Sequence, residues 1–247
     1  MIVKSEAVVL QVRQFGDSSK IAILYSKEYG KISVIAKGAF TAKNKFGGAL
    51  SPLSYVNAIF YKKSSTDLHL LKEIELIKPL TKLSDNYENL LLGLTTCEFL
   101  LNTQLEYSAS EELFVNLVNY LQLLNNSKEE NYSLTSLFLF KLSELIGFLV
   151  DFSFVKEYLN SCNANSHISF FLDDISIATK FNSNYCYNFK TTTLVKLLDY
   201  HQKSFYSPTF TSYLTKDEFI EVAFFFNNFF VFHLSKKFSI KSLSLLV

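Results

Sequence analysis

The chain is 247 residues long and 49% hydrophobic, so it is large enough to form two compact domains with buried cores. Its three cysteines are too few for a disulfide scaffold, and the N-terminal residues lack the pattern of a signal peptide; together these features predict a protein of the reducing cytoplasm. The net charge of +1 excludes a protein that is strongly basic or acidic overall, but it conceals an uneven distribution.

Positive charge is concentrated in the first third of the chain. Residues 1–79 contain twelve Lys and Arg against six Asp and Glu, a net charge of +6, and the remaining 12 bases and 17 acids give a net charge of −5. No Asp or Glu lies between Glu28 and Asp67, whereas six lysines do. Such a separation of charge indicates an anionic partner for the basic part.

Five short segments rich in Val, Ile and Tyr alternate in the manner of strands within residues 1–79, and turns containing Gly, Ser or Asp separate them. The predicted strands cover 6–14, 20–26, 30–38, 53–63 and 68–77. Since no helix-length segment lies between them, they predict a small closed barrel. A five-stranded OB-fold is the commonest barrel of this size, and an SH3-like barrel is the alternative.

The segment 37–50, KGAFTAKNKFGGAL, joins the third and fourth predicted strands and contains three lysines, three glycines and two phenylalanines but no acid. It is not a nucleotide-binding P-loop, because no glycine is followed by Lys-Ser or Lys-Thr and the lysines precede the glycine pair. Lysines interleaved with aromatic rings suit a nucleic acid, whose phosphates attract cations and whose bases stack on rings. A solvated lysine loop whose phenylalanines fill the barrel explains the composition equally well.

The nucleic-acid interpretation assigns DNA contacts to ten residues of the predicted barrel. The segment itself contributes three lysines and two rings, and the neighbouring strands and turns contribute five more cations: Lys37, Lys43, Lys45, Phe40, Phe46, Arg13, Lys20, Lys31, Lys62 and Lys63.

From Leu80 onward, apolar residues recur at intervals of three and four, which is helical spacing. The sequence therefore predicts an α+β chain with a barrel domain at 1–79 and an all-α domain at 80–247. Helices are expected within 83–101, from Glu111, over 133–150, over 192–202, and over a long run from Thr215 to about Leu245. A small irregular insert at about 160–190 interrupts them.

The apolar run at 219–234, FIEVAFFFNNFFVFHL, raises the question of a membrane span. It has about sixteen residues, fewer than the roughly 20 that cross a bilayer, and it contains Glu221 and His233. Thr215 and Glu218 form a capping box just before it. The run predicts a buried helix of a protein with no membrane partner.

Metal and catalytic sites find little support. Cys162, His167 and Cys186 are the candidate ligands of the insert, but structural zinc needs four ligands in close pairs, and Asn165 stands where a second Cys would complete the first pair. Asp173 and Asp174 are adjacent in an apparent hairpin, where a turn is their expected role. The four histidines are scattered, and no nucleophile–base set is indicated. We predict no metal, no other cofactor and no enzymatic activity.

Four groups of residues, in this order, resemble the N-terminal domain of the RecO family of bacterial recombination mediators: Gly16-Asp17-Ser18-Ser19-Lys20, Tyr29-Gly30-Lys31, Lys37-Gly38-Ala39 and Phe46-Gly47-Gly48-Ala49-Leu50-Ser51-Pro52. The tail at 233–246, HLSKKFSIKSLSLL, is similar to the family's ending. The resemblance implies an N-terminal OB-fold, a helical C-terminal domain and no catalytic site.

The resemblance also implies partners. Family members bind single- and double-stranded DNA, anneal complementary strands, work with RecR, contact the C-terminal tail of the single-strand-binding protein, and so help to load RecA; a cytoplasmic, nucleoid-associated protein is expected. The family's basic loop matches Lys37, Lys43 and Lys45, and Phe40 stands where many relatives have Arg. Many relatives carry a four-cysteine zinc ribbon in the helical domain, of which only Cys162 and Cys186 are present here.

A second hypothesis is a protein-interaction adaptor whose barrel binds protein or RNA. In this case a groove between the Phe-rich C-terminal helices, rimmed by Lys236, Lys237 and Lys241, takes an acidic and hydrophobic peptide tail. The simpler interpretation of these lysines is a solvated helix end, which the helix dipole favours.

Overall fold

The computed structural model describes residues 1–40, 46–63, 66–127, 131–160, 166–178, 185–205, 208, 210 and 212–246. Its strands are β1 (Ile2–Phe15), β2 (Ser19–Ser26), β3 (Gly30–Ala36), β4 (Tyr55–Tyr61), β5 (Leu68–Lys78), β6 (His167–Phe171) and β7 (Cys186–Lys190). Its α-helices are α1 (Tyr87–Thr103), α2 (Glu111–Asn126), α3 (Tyr132–Leu145), α4 (Lys156–Leu159), α5 (Thr191–Leu197) and α6 (Lys216–His233).

The first five strands form a closed barrel in the order β1-β2-β3-β5-β4. All neighbours are antiparallel except β3 and β5, which are parallel from Ser33 opposite Leu68 to Ile35 opposite Leu70. The long strand β1 pairs with β4 through its first half and with β2 through its second half, and a register shift between Val9 and Gln11 bends it. This arrangement confirms the predicted five-stranded barrel.

The link between β3 and β4 closes one end of the barrel. Its second half contains a 3₁₀ turn at Gly47–Ala49, and Phe46, Ala49 and Leu50 belong to the barrel core, each less than 10% exposed. They pack with inward-facing residues of the strands such as Val34 and Phe60. An OB-fold barrel needs apolar residues at this end because its strands leave the core open there.

Helices α1 and α2 belong to the same compact unit as the barrel, Met1–Lys128. Both have polar N-caps: the side chain of Asn86 accepts from the backbone N–H of Asn89, and that of Ser110 from the backbone N–H of Leu113. The predicted domain boundary between residues 79 and 80 stays a prediction, because a domain in this sense is a part of the chain that folds by itself.

The second compact unit, Glu129–Val247, contains α3 to α6 and the β6–β7 hairpin. Its core is a cluster of aromatic rings, in which Phe140 contacts Phe226 with centroids 5.0 Å apart and Phe225 contacts Phe189 at 5.0 Å. Helix α6 supplies five buried rings, more than any other element of this unit, and begins with the predicted capping box of Thr215 and Glu218. The run at 219–234 is therefore a buried helix, as predicted, and no helix of the described residues is both long and apolar enough to cross a bilayer.

The prediction of helical structure from Thr215 to about Leu245 is wrong beyond His233. Helix α6 ends there because Ser235 adopts a left-handed backbone conformation, with φ of 50°, that cannot continue a right-handed helix. Only a short 3₁₀ turn follows, at Ser242–Leu245. Apolar spacing at 238–246 thus reflects burial of Ile240, Leu243 and Leu246 without a helix.

Within the insert, Asp173 and Asp174 lie in the turn after β6, as predicted, where the carboxylate of Asp174 accepts from the backbone N–H of Ser176 at 2.8 Å. His167 and Cys186 lie at opposite ends of the β6–β7 ladder, since His167 pairs with Lys190 and Cys186 with Phe171. Four residue steps separate them, or about 14 Å at the usual rise of a strand. Cys162 lies outside the described residues.

His167 and Cys186 therefore do not fit as ligands of one zinc ion, because the ligands of a tetrahedral ion lie within about 4 Å of one another. Cys186 is also buried, which suits a small apolar side chain. We expect metal analysis of the purified protein to find less than 0.1 zinc per chain, roughly the level of contamination for a chain without a four-ligand site. One stoichiometric zinc would contradict this prediction.

Candidate nucleic-acid interface

Three predicted cations lie near the end of the barrel that carries the β1–β2 turn. Lys20 lies opposite Ala36 on β3, and Lys37 is the next residue of that segment. Arg13 lies on β1 opposite Ile21, the residue after Lys20. Arg13 and Lys37 are exposed and Lys20 is half-buried. None of the ion pairs found among the described residues involves Arg13, Lys20 or Lys37.

Phe40 lies on the same end, attached to the β1–β2 turn. Its backbone N–H donates to the carbonyl oxygen of Ser18 at 3.0 Å, and its ring is 49% exposed. The ammonium of Lys20 lies 4.8 Å from the centroid of this ring, which is cation–π distance. Phe40 therefore does not fill the barrel but presents a ring beside a positive charge.

Phe46 has the opposite environment and corrects a prediction. It is 3% exposed and packs in the barrel core, so its ring is not available to a base. The two phenylalanines of the segment therefore differ: Phe40 is exposed beside Lys20, whereas Phe46 is buried in the barrel core. Lys43 and Lys45, at its centre, lie outside the described residues.

Lys31 is likewise not an exposed phosphate contact, contrary to the prediction. Its side chain is buried, and its ammonium donates to the carbonyl oxygen of Leu101 at 3.0 Å and lies 3.6 Å from the carboxylate of Glu106. A lysine near the last carbonyls of a helix is favoured by the helix dipole. Lys31 therefore holds the C-terminal end of α1 against β3.

Lys62 and Lys63 form a separate group, because they follow β4, whose last residue Tyr61 pairs with Ile2 at the far end of β1 from Arg13. The Lys62 ammonium lies 4.3 Å from the centroid of the Tyr29 ring, and Lys63 is exposed. Burial, and then the positive charge of Lys62, lower the pKa of the nearby His69, which keeps this imidazole neutral at pH 7. His69 therefore adds no positive charge to that of the two lysines.

The sequence interpretation missed Phe15. The predicted strand ended at Gln14, which placed Phe15 in a turn, whereas the structure extends β1 to Phe15 opposite Ser19 and leaves the ring 50% exposed. An aromatic residue at the last position of a strand, next to a Gly-Asp turn and a lysine, was the available signal.

The lysines of the predicted peptide site follow α6. Lys236, Lys237 and Lys241 are exposed, and the segment between them contributes Ile240 to the core of the second unit. The assignment of these lysines to a peptide site stays a prediction.

Two family models match consecutive parts of the chain. The model described as "Recombination protein O N terminal" matches residues 1–80, which is the barrel, and "Recombination protein O C terminal" matches residues 84–155.

Individual relatives agree with these models. The chain is 45% identical to the DNA repair protein RecO of Chlorobaculum parvum over 86 residues, 34% of this chain and 33% of the relative. It is 30% identical to that of Salinibacter ruber over 146 residues, 59% and 56% of the two chains. It is 32% identical to that of Pelodictyon phaeoclathratiforme over 148 residues, which are 60% of this chain and 57% of the relative. The matched segments thus span 33% to 57% of the length of these relatives. With both family models matched in order and the barrel topology observed, the chain belongs to the RecO family.

Proposed function

We propose that this chain is a non-enzymatic mediator of DNA repair by recombination, which binds single- and double-stranded DNA through the barrel. The observation that carries the proposal is the positive charge of Arg13, Lys20 and Lys37 at the end of the barrel where Lys20 contacts the half-exposed ring of Phe40, and none of the three cations has an ion-pair partner among the described residues. Membership of a family of DNA repair proteins supports it.

The mechanism follows from electrostatics. Each phosphate that a lysine or arginine neutralises releases condensed counterions, which favours binding at low salt without sequence preference. Unpaired cations also lower the repulsion between two strands brought together on one surface, and this would promote annealing. Lys62 and Lys63, and the undescribed Lys43 and Lys45, are proposed to extend the contact along the barrel.

Of the proposed protein partners, the single-strand-binding protein is expected to contact the second unit. RecR, and the acidic C-terminal tail of the single-strand-binding protein, are the partners that the family resemblance implies, with RecA loaded indirectly in the cytoplasm at the nucleoid. Lys236, Lys237 and Lys241, exposed after α6, are the proposed contacts for the acidic tail.

A salt titration separates this proposal from the adaptor hypothesis. We expect the full chain to bind a single-stranded oligonucleotide with an affinity that falls steeply between 50 and 200 mM salt, as phosphate contacts require. The adaptor hypothesis is favoured, and the proposal rejected, if the chain binds the tail peptide but binds no DNA at any salt concentration in this range. The same holds if RNA is the only nucleic acid that it binds.

Replacing Arg13, Lys20 and Lys37 by alanine should weaken DNA binding and reduce its salt slope by about 2, because each lost contact with a single strand removes roughly 0.7 from the slope. The matched control is the triple alanine variant of Lys236, Lys237 and Lys241, which removes the same charge. It should keep the DNA slope and bind the tail peptide more weakly. Equal DNA slopes in the two variants would reject the assignment of the site to this end of the barrel.

A further inference from the structure

The strand register places two cations of the proposed DNA-binding surface on opposite faces of one sheet. Directly paired residues of antiparallel strands share a face, and successive residues of a strand alternate between faces. Arg13 pairs with Ile21 on one face, and Gln14 pairs with Lys20 on the other. Lys20 also pairs with Ala36, which belongs to the barrel core, so its face is the one that continues into the mouth of the barrel. We call it the mouth face, and the face of Arg13 the outer face.

Each cation has an exposed aromatic ring near it. The ammonium of Lys20, on the mouth face, lies 4.8 Å from the centroid of the Phe40 ring, which is 49% exposed. On the outer face, Phe15 follows Arg13 by two residues of the same strand, and its ring is 50% exposed. Because stacked sheets lie about 10 Å apart, the side-chain layers on the two faces of one sheet are also separated by roughly 10 Å. Arg13 and Lys20 therefore present their charges in opposite directions.

The edge of β1 lies between these two faces. Strand β1 pairs with β4 only as far as Val8, and beyond it no strand of the described residues pairs with that edge. Arg13 and Gln14 are consecutive and exposed there, and they lie on the outer and the mouth face, respectively. Asp17 is exposed in the three-residue β1–β2 turn, where its charge repels phosphates. The path for a nucleic acid between the faces therefore crosses the edge of β1 and not the turn.

The stiffness of the nucleic acid decides which form of DNA can follow this path. Duplex DNA has a persistence length of about 150 base pairs, so a short duplex is straight and lies along one face. An unpaired strand can bend between successive nucleotides, and its bases have open faces that stack on aromatic rings. Only a single strand can therefore contact Arg13 on the outer face and also reach Lys20 and Phe40.

We propose that a single strand crosses the edge of β1 and contacts both faces, whereas duplex DNA contacts the outer face alone. Lys20 and Phe40 are thus determinants of single-strand binding, and Arg13 serves both forms of DNA. The inference rests on the DNA binding proposed above and adds to it how this surface distinguishes a single strand from a duplex.

The test compares single alanine variants of the full chain. Fluorescence anisotropy over a range of salt concentrations measures binding to a mixed-sequence single strand and to the duplex of the same length. Arg13→Ala should reduce both salt slopes, by about 0.7 for the single strand and about 0.9 for the duplex. Lys20→Ala should reduce the single-strand slope by about 0.7 and leave the duplex slope unchanged. Phe40→Ala should weaken single-strand binding about tenfold and duplex binding less than threefold, without changing either slope.

A variant that moves one charge between the faces is the matched control. Ser19 pairs with Phe15 on the outer face, so Ser19→Lys combined with Lys20→Ala transfers a positive charge from the mouth face to the outer face at constant net charge. The duplex slope of this variant should be steeper than that of the wild type by about 0.9. Equal duplex slopes in these two proteins, or duplex slopes reduced equally by Lys20→Ala and Arg13→Ala, would overturn the division between the faces and leave the proposed function intact. A wild type that binds no DNA would overturn both.

Discussion

Replacing Phe46 by alanine is expected to lower the free energy of unfolding of the barrel by about 3–5 kcal/mol, the usual cost of removing a buried phenylalanine ring. Phe46 is 3% exposed among the core residues of the β3–β4 link. Its ring closes the end of the barrel, so its loss leaves a cavity that the short 3₁₀ turn at Gly47–Ala49 cannot fill by itself.

Phe40→Ala provides the matched control, because the same side chain is removed from the same link at a position that is 49% exposed. We expect it to change stability by less than about 1 kcal/mol, most of it from the lost contact with Lys20. Since the chain has two compact units, hydrogen exchange of the β1–β5 amides is the suitable measurement. Similar losses of stability in the two variants would show that Phe40 and Phe46 do not differ in burial as described.

Replacing Gly30 by alanine is expected to destabilise the contact between the barrel and the α1–α2 connection, by about 3 kcal/mol when overpacking and backbone strain are combined. Gly30 begins β3 with φ of +66°, which L-residues rarely adopt. A Cβ at this position would lie 2.5 Å from the carbonyl carbon of Ser108 and 2.8 Å from the nitrogen of Ala109. Both are backbone atoms, so the segment itself must move.

The displaced segment carries contacts that hold α1 against β3. The backbone N–H of Tyr107 donates to the carbonyl oxygen of Lys31 at 3.0 Å, and Glu106 lies beside the Lys31 ammonium. Gly30→Ala should therefore speed hydrogen exchange at 105–110 and at the end of α1. Its control is Gly16→Ala, with a similar φ of +61° but nothing within 4 Å of the added Cβ. Gly16→Ala should lower the free energy of unfolding only by the backbone strain, about 1–2 kcal/mol. A loss of stability as large as that of Gly30→Ala would show that Ser108 imposes no constraint.

The strands of the barrel could be predicted closely because alternation records which face of each strand is buried. The predicted segments 20–26 and 68–77 correspond to β2 (Ser19–Ser26) and β5 (Leu68–Lys78) with differences of one residue at one end. Helix α6 began as predicted at its capping box, which is a local signal. Its end was not predictable, because apolar spacing continues past Ser235 although the backbone there turns left-handed.

In the candidate site too, the environment of a residue could not be predicted from its neighbours in the sequence. Six lysines and no acids at 29–66 described a basic surface, yet Lys31 is buried against Leu101 and Glu106, which lie some seventy residues further along the chain. Composition cannot reveal such a partner, because the ion pair depends on how α1 packs on β3. Phe15 was missed for a related reason: whether a residue at a strand end is exposed depends on the strand beside it.

By itself, the sequence determined the class of barrel, the excess of positive charge on it, the helical character of the remainder, and the resemblance to the RecO family. These are properties of local pattern and residue type, which neighbouring residues along the chain decide. Only the tertiary structure decided which members of KGAFTAKNKFGGAL face the solvent, because Phe40 and Phe46 are the same residue type in the same link. Barrel closure buries Phe46, while the hydrogen bond to Ser18 holds Phe40 outside beside Lys20. The proposed DNA-binding surface therefore arises from the pairing of strands and not from the basic segment alone.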